Sequence, residues 1–92
     1  MPDENLARAI RPRVRRKILK ILCKKKRASV HEIADELNIS ESSASKHLKL
    51  LYDLGILEYE EKPPEKYYFI NVEHIDELLK VYERVVEQLS AR

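Results

Sequence analysis

The sequence has few of the residues on which many enzyme and metal sites depend. Its one cysteine, Cys23, excludes a disulfide within the chain and any zinc site with two thiolates from the same chain. Its one glycine, Gly55, excludes the glycine-rich loops that hold dinucleotides or nucleoside triphosphates, because those loops need at least two glycines. Long apolar runs are also missing, and no segment approaches the roughly 18 apolar residues of a membrane-spanning helix.

The composition is that of one small globular domain. The 92 residues are enough for a single domain at most, and 37% charged with 43% apolar residues is ordinary for a water-soluble protein. Residues 1–10 contain acids and no apolar core, so they do not have the pattern of a secretory signal. We therefore expect one domain over 1–92 and a cytoplasmic location.

Charge is distributed unevenly along the chain. Residues 1–50 contain 13 Lys and Arg against 6 Asp and Glu, whereas residues 51–92 contain 5 against 10. The net charges of the two segments are therefore +7 and −5. A basic segment of this size favours a polyanionic partner such as nucleic acid.

Four helices are predicted in the first 55 residues. The first spans 3–11 and ends there because Pro12 disfavours a helical residue before it; Pro12 suits the first turn of the second, which runs to about Lys25. Ser29 and Glu32 have capping-box spacing at the start of a third helix over 30–37. Ser40 is a suitable N-cap for the fourth, and Gly55 is the expected left-handed residue that ends it.

The pattern then changes to strands. Runs at 56–60 and 67–70 are rich in branched and aromatic residues, and the turn between them contains Pro63 and Pro64. Asn71 is a suitable cap for a last helix over 72–90. The predicted fold is mainly α with a small β-hairpin, in the order α-α-α-α-β-β-α.

Two helices joined by a short turn at 30–54 have the pattern of a helix-turn-helix, and the hairpin at 56–70 follows as a wing. The fourth helix presents short hydroxyls and cations away from its apolar stripe, which suits contact with base edges and phosphates of double-stranded DNA. A merely solvated helix face is the alternative. The candidate DNA-binding residues on this helix are Ser42, Ser43, Ser45, Lys46, His47 and Lys49.

Several stretches resemble the arsenical-resistance repressor (ArsR-like) family of winged-helix regulators. They are Arg11 to Leu19, Ile33 to Ser40 and Ser43 to Leu51, followed by Gly55-Ile56-Leu57 and the Tyr67-Tyr68 strand. The resemblance covers nearly the whole chain from about Ala7. It implies a homodimeric repressor with a winged helix-turn-helix fold, in which the first and last helices form the dimer interface and the fourth enters the major groove.

Further DNA contacts are expected from the second helix and the wing. Part of the cluster Arg13, Arg15 to Lys17 and Lys24 to Arg27 should face phosphate, and Arg13 and Arg16 are the candidates at its start. Lys62 and Lys66 flank the two prolines, where a wing touches phosphate or a minor groove. Nearby glutamates oppose such contact, and the wing is less basic than is usual in the family, so a solvated hairpin is the alternative.

The last helix has an apolar stripe with the spacing of a coiled coil, and it is wider than one small domain can cover. A partner helix would bury the excess, so we predict a homodimer. Packing within its own domain is the alternative. The predicted dimerisation residues are Leu6, Ile10, Ile75, Leu78, Leu79, Tyr82, Val85, Val86 and Leu89.

We expect no metal, cofactor or catalytic site. Members of the resembled family often sense metals, but 30–37 contains no cysteine pair, and the last helix begins His74-x-Asp76 with no second histidine after it. Cys23 is expected to be a packed thiol, with a redox switch as the alternative. Architectural DNA coating and a protein-interaction winged helix are the competing functions; the sequence names no effector.

Overall fold

Five helices and a three-stranded antiparallel sheet form the fold in this computed structural model, which describes residues 1–91. The four predicted helices, the hairpin and the last helix are all present in the expected order. The elements are α1 (Pro2–Ile10), α2 (Arg13–Lys25), β1 (Ala28–Ser29), α3 (Val30–Leu37), α4 (Glu41–Asp53), β2 (Leu57–Lys62), β3 (Glu65–Ile70) and α5 (Ile75–Ser90).

The helix-turn-helix is fixed by the local signals that the sequence contains. The Ser29 hydroxyl accepts from the Glu32 N–H at 3.1 Å, and the Glu32 carboxylate accepts from the Ser29 N–H at 2.9 Å, which completes the capping box. Asn38 ends α3 in the left-handed conformation. The Ser40 hydroxyl accepts from the Ser43 N–H at 3.0 Å, so α4 begins where the capping residue requires.

The sheet contains a strand that the sequence pattern did not predict. Ala28 and Ser29 pair with Tyr68 and Tyr67, so β3 lies between β1 and β2. A two-residue strand has no periodicity of its own, and its pairing depends on a segment about forty residues away in the chain. This pairing joins the end of α2 to the wing.

The hairpin is longer than predicted. Its ladder runs from the Leu57–Ile70 pair to the Lys62–Glu65 pair, so only Pro63 and Pro64 remain in the turn. The charged residues beside the prolines, which the sequence suggested as turn, are paired strand residues. Proline lacks the N–H that a ladder needs, and the two prolines therefore mark the turn itself.

The start of α5 corrects the sequence prediction. Asn71 does not cap the helix, because α5 begins at Ile75 after His74, which has a positive φ of 71°. Asn71 instead continues from β3, where its N–H donates to the Ile56 carbonyl at 3.1 Å. Its side-chain amide, oriented to donate, lies 3.0 and 2.8 Å from the carbonyl oxygens of Gly55 and Ile56. The position of Pro12 also differs from the prediction by one residue, because Pro12 is the N-cap of α2 and not part of its first turn.

One core joins all five helices to the sheet. α1 and α5 pack on α2, and α3 packs on α4. Truncation of a fully buried leucine such as Leu48 would cost about 2–5 kcal/mol. The largest fully buried side chains are Ile18, Leu19, Leu22, Ile33, Leu48, Leu51, Leu57 and Leu79.

Candidate DNA-binding surface

The outer face of α4 combines hydroxyls and cations. Ser42, Ser45, Lys46 and Lys49 are all exposed, and their spacing of three, one and three residues places them on one side of the helix. The opposite side carries Ala44, Leu48 and Leu51, which are buried in the core. α4 is therefore anchored along one side and presents a polar, basic surface along the other.

Lys46 and Lys49 form no ion pair and no cation–π contact within residues 1–91. Several other cations near α2 and the sheet do have partners; for example, Lys25 lies 3.7 Å from Glu36. Ser43 is only half-exposed, and its backbone N–H is used in the cap of α4. The uncompensated charge of α4 is concentrated on two lysines one turn apart.

His47 lies on a different side of α4 from the two lysines. Its Nδ1 is 3.4 Å from Nη1 of Arg15 on α2, and the contact is partly buried. Burial lowers the pKa of His47, and the neighbouring Arg15 charge lowers it further. Arginine can only donate, so His47 is the neutral acceptor in this contact.

Of the two α2 arginines predicted to reach DNA, Arg13 is exposed and Arg16 is engaged inside the domain. Arg16 Nη1 donates to the carbonyl oxygens of Ile10 and Arg11, both at 2.6 Å. Its guanidinium also lies 4.8 Å from the centroid of the Tyr82 ring on α5. These contacts use the charge of Arg16 at the junction of α1, α2 and α5.

The cations of the wing lie among acids and aromatic rings. Lys66 lies over the Tyr59 ring, with Nζ 4.7 Å from the centroid, and Lys62 is directly opposite Glu65 in the ladder. Arg27 lies 3.2 Å from Glu60 and contacts the Tyr67 ring. With Glu61 also exposed, the hairpin presents a mixed surface rather than a basic one.

One exposed aromatic residue on α4 is absent from the predicted set. Tyr52 is 39% exposed and lies one turn beyond Lys49 on the same side of the helix. Its ring is 5.2 Å from that of Tyr59 on β2, so it lies between the outer face of α4 and the wing. The spacing of 45, 49 and 52 is the signal that would have found it.

At the start of α4, His31 on α3 contacts Glu41. The Nδ1–Oε2 distance is 3.1 Å, and both side chains are exposed. The hydrogen bond to Glu41 and its negative charge raise the pKa of His31. The Glu41 carboxylate therefore lies at the start of α4, near its outer basic face, and its negative charge is partly balanced when His31 is protonated.

α5 has an exposed apolar strip beside the side that packs on the domain. Ile75 and Leu79 are buried in the domain's own core, 5% and 1% exposed, so they cannot contribute much surface to a partner. Leu6 and Ile10 pack partly against the same core. Val85 and Leu89 are 48% and 63% exposed, and the strip consists of Leu78, Val81, Tyr82, Val85, Val86 and Leu89.

The remaining candidate chemistry is sparse. Across residues 1–91, no group of three His, Cys, Asp or Glu side chains has a metal-binding arrangement. His74 contacts Glu77 at 3.0 Å within the first turn of α5. Cys23 is half-buried, and burial raises the pKa of its thiol, which disfavours the reactive thiolate. No helix in the described part of the chain has both the length and the apolar character needed to cross a bilayer.

A capped helix-turn-helix, an outward basic helix and a hairpin immediately after it define a winged helix-turn-helix DNA-binding domain. Residues 13–59 match the model of the arsR family of bacterial regulatory proteins. The chain belongs to this family, and it is a DNA-binding transcriptional regulator.

Three solved structures illustrate the similarity. The homodimeric winged helix-turn-helix DNA-binding domain of Mb0332 from Mycobacterium bovis is 23% identical with a TM-score of 0.79, over 95% of this chain and 80% of that chain. HlyU from Vibrio cholerae is 23% identical, with a TM-score of 0.78 and coverage of 91% and 90%. The transcriptional repressor PagR of Bacillus anthracis is 27% identical, with a TM-score of 0.76 and coverage of 88% and 92%.

Proposed function

We propose that this regulator binds an inverted-repeat DNA site as a homodimer and represses transcription, with α4 of each copy in the major groove. The observation that carries the proposal is the pair of uncompensated lysines, Lys46 and Lys49, beside Ser42 and Ser45 on the outer face of α4. Short hydroxyls can approach base edges closely, and lysines neutralise phosphate or reach guanine acceptors.

The homodimer rests on the exposed strip of α5. Val81, Val85 and Leu89 are large apolar residues on one side of a helix, where a second copy would remove them from water. Mb0332, which shares the fold, is a homodimer, and this supports the same assembly here. Ile75 and Leu79 are left out of the proposed interface because they belong to the core.

The remaining contacts are assigned to different roles. Arg13, exposed at the start of α2, and Tyr52, exposed on α4, are proposed to contact phosphate, while Lys62 and Lys66 make weaker contacts from the wing. Arg16 and His47 are left out of the proposed DNA contacts, because the Arg16 guanidinium and Nδ1 of His47 are used between helices. Repression is supported by PagR and by the antimony-specific repressor AntR, which shares the fold.

The test is selection of bound fragments from random DNA by the purified protein at near-physiological salt. We expect enrichment of an inverted repeat with half-site centres about 10 base pairs, or a multiple of that, apart. Tight binding without enrichment would instead indicate an architectural protein that coats DNA. No binding would indicate a protein-interaction domain.

The assembly is tested separately by sedimentation. Val85→Asp places a charge in the strip on α5, so we expect a monomer where the natural chain is a dimer. Val72→Asp is the matched control, since Val72 is exposed to a similar degree but lies before α5. An unchanged dimer for Val85→Asp would refute the proposed interface.

A further inference from the structure

The junction between α1 and α2 is capped by two consecutive arginines. Arg15 donates from Nε and Nη2 to the Arg8 carbonyl, at 3.0 and 2.7 Å. Arg16 donates to the carbonyls of Ile10 and Arg11. These are carbonyls at the C-terminal end of α1, where a helix lacks internal donors. The end of α1 is thus fixed by side chains of α2.

Each arginine also contacts a second helix, and the two helices differ. Arg15 Nη1 lies 3.4 Å from His47 Nδ1 on α4, the helix that faces DNA. Arg16 lies against the Tyr82 ring on α5, the helix that carries the exposed apolar strip. Two adjacent residues therefore connect the end of α1 to α4 on one side and to α5 on the other.

We infer that Arg15 and Arg16 are positioning residues that fix α4 relative to α1 and α5, and so determine which spacing between half-sites the dimer accepts. The inference rests on the proposed function, because half-site spacing has meaning only for a dimer on a repeated site. A guanidinium suits this role, since its donors form a rigid planar fork that can bind two neighbours in fixed directions.

Half-site spacing is a sensitive readout of this geometry. Each added base pair rotates one half-site relative to the other by about 35° and moves it by about 3.4 Å. A dimer with rigidly placed α4 helices tolerates little of this change, whereas a loosened one accepts several spacings. Loss of general stability would lower binding to all spacings alike, so the shape of the spacing profile separates the two effects.

The experiment measures binding of the full chain to a series of duplexes in which the enriched half-sites are moved apart or together one base pair at a time. For Arg15→Gln we expect discrimination between the best spacing and its neighbours to fall by about tenfold, the effect of one lost charge-assisted hydrogen bond. Arg16→Gln should broaden the profile in the same way. Arg11→Gln removes an exposed charge at the same junction and should leave the profile unchanged.

A second pair of variants tests the contact from the α4 side. His47→Asn keeps an acceptor close to the position of Nδ1 and should retain the natural profile. His47→Leu removes the acceptor and should broaden the profile as Arg15→Gln does. This pair decides the question even if Arg15→Gln fails to fold.

The outcomes distinguish failure of the positioning role from failure of the proposed function. If the natural chain selects no inverted repeat, the proposed function fails before any variant is compared. If it selects one, and Arg15→Gln and His47→Leu keep its sharp spacing preference, the positioning role is overturned while the function stands.

Discussion

The outer face of α4 and the hairpin of β2 and β3 contain the same kinds of charged side chain but differ in how those charges are used. Lys46 and Lys49 have no ionic or aromatic partner within residues 1–91. Lys66 lies against Tyr59, and Lys62 lies opposite Glu65 in the ladder and next to Glu61. The α4 lysines can exchange counterions for phosphate without giving up a side-chain contact, whereas Lys66 cannot.

This difference shows that a count of cations does not locate a DNA-binding surface. Both regions have two lysines close together, but a lysine beside an acid or over a ring must give up that contact before it neutralises phosphate. The structure therefore ranks α4 above the wing; three experiments can break or sharpen this ranking, and a fourth compares the inner side of α4 with its outer face.

The largest effect is expected from reversing both α4 charges. Lys46→Glu with Lys49→Glu should weaken DNA binding by about 100-fold or more, and each single change to Ala by about tenfold with a shallower salt dependence. Titration of a labelled duplex at several salt concentrations measures both quantities. Lys80→Glu, which reverses a single charge on α5, is the control and should have little effect.

A smaller effect, of opposite sign, is expected when an acid is removed from the wing. Glu61→Lys should strengthen binding by about fivefold and steepen the salt dependence, because it removes the net negative charge of the hairpin. Glu73→Lys makes the same charge change in the segment before α5 and serves as the comparison. Equal gains from the two variants would mean that only overall charge matters and that the wing lies away from DNA.

Smaller still is the expected effect of removing the wing lysines. Lys62→Ala and Lys66→Ala should each weaken binding by less than about threefold, because Lys66 already contacts the Tyr59 ring and Lys62 lies opposite Glu65 in the ladder and next to Glu61, acids that oppose phosphate contact. If either variant loses as much DNA affinity as Lys49→Ala in the same titration, the wing contributes as much to binding as α4 and the ranking is wrong.

The smallest effect concerns the inner side of α4 and appears in the melting temperature. His47 has a lowered pKa when folded, so below its ordinary value of 6.5 the unfolded chain takes up protons more readily and stability falls as pH falls. His31 has a raised pKa, so its contribution is present below 6.5 and is lost as pH rises through its folded pKa.

Thermal unfolding at pH 5 and pH 7 separates the two histidines. The natural chain should lose more stability on acidification than His47→Asn does, and less than His31→Gln does. Identical pH dependence for the natural chain and His47→Asn would show that the Arg15 contact does not depend on a neutral imidazole.

Much of the helix-turn-helix could be predicted from sequence because its signals are local. α3 spans 30–37 as expected, and the caps at Ser29 and Ser40 lie within three residues of the groups they bind. β1 was missed because its two residues take their structure from β3. Asn71 was misassigned because a good capping residue is also a good partner for strand-end carbonyls.

The site shows the same division between local and distant causes. The outer face of α4 could be predicted from helical spacing. The same spacing places His47 beside Ala44 and Leu48 on the inner side, so the position of His47 could also have been predicted from the sequence. The role of Arg16 could not be predicted from the sequence. Its partners are carbonyl groups at the junction of α1 and α2 and the ring of Tyr82, which is far along the chain. The burial of Ile75 and Leu79 could not be predicted either, because it depends on how α5 packs on the rest of the domain.

The acids of the hairpin have one further consequence. β2 lies at the border of the sheet and pairs only with β3 within residues 1–91, so its outer backbone groups are open to another strand. Glu58, Glu60 and Glu61 line that strand, and like charges discourage two copies from joining border to border. The residues that weaken the wing as a DNA contact thus also discourage association of two copies through this strand.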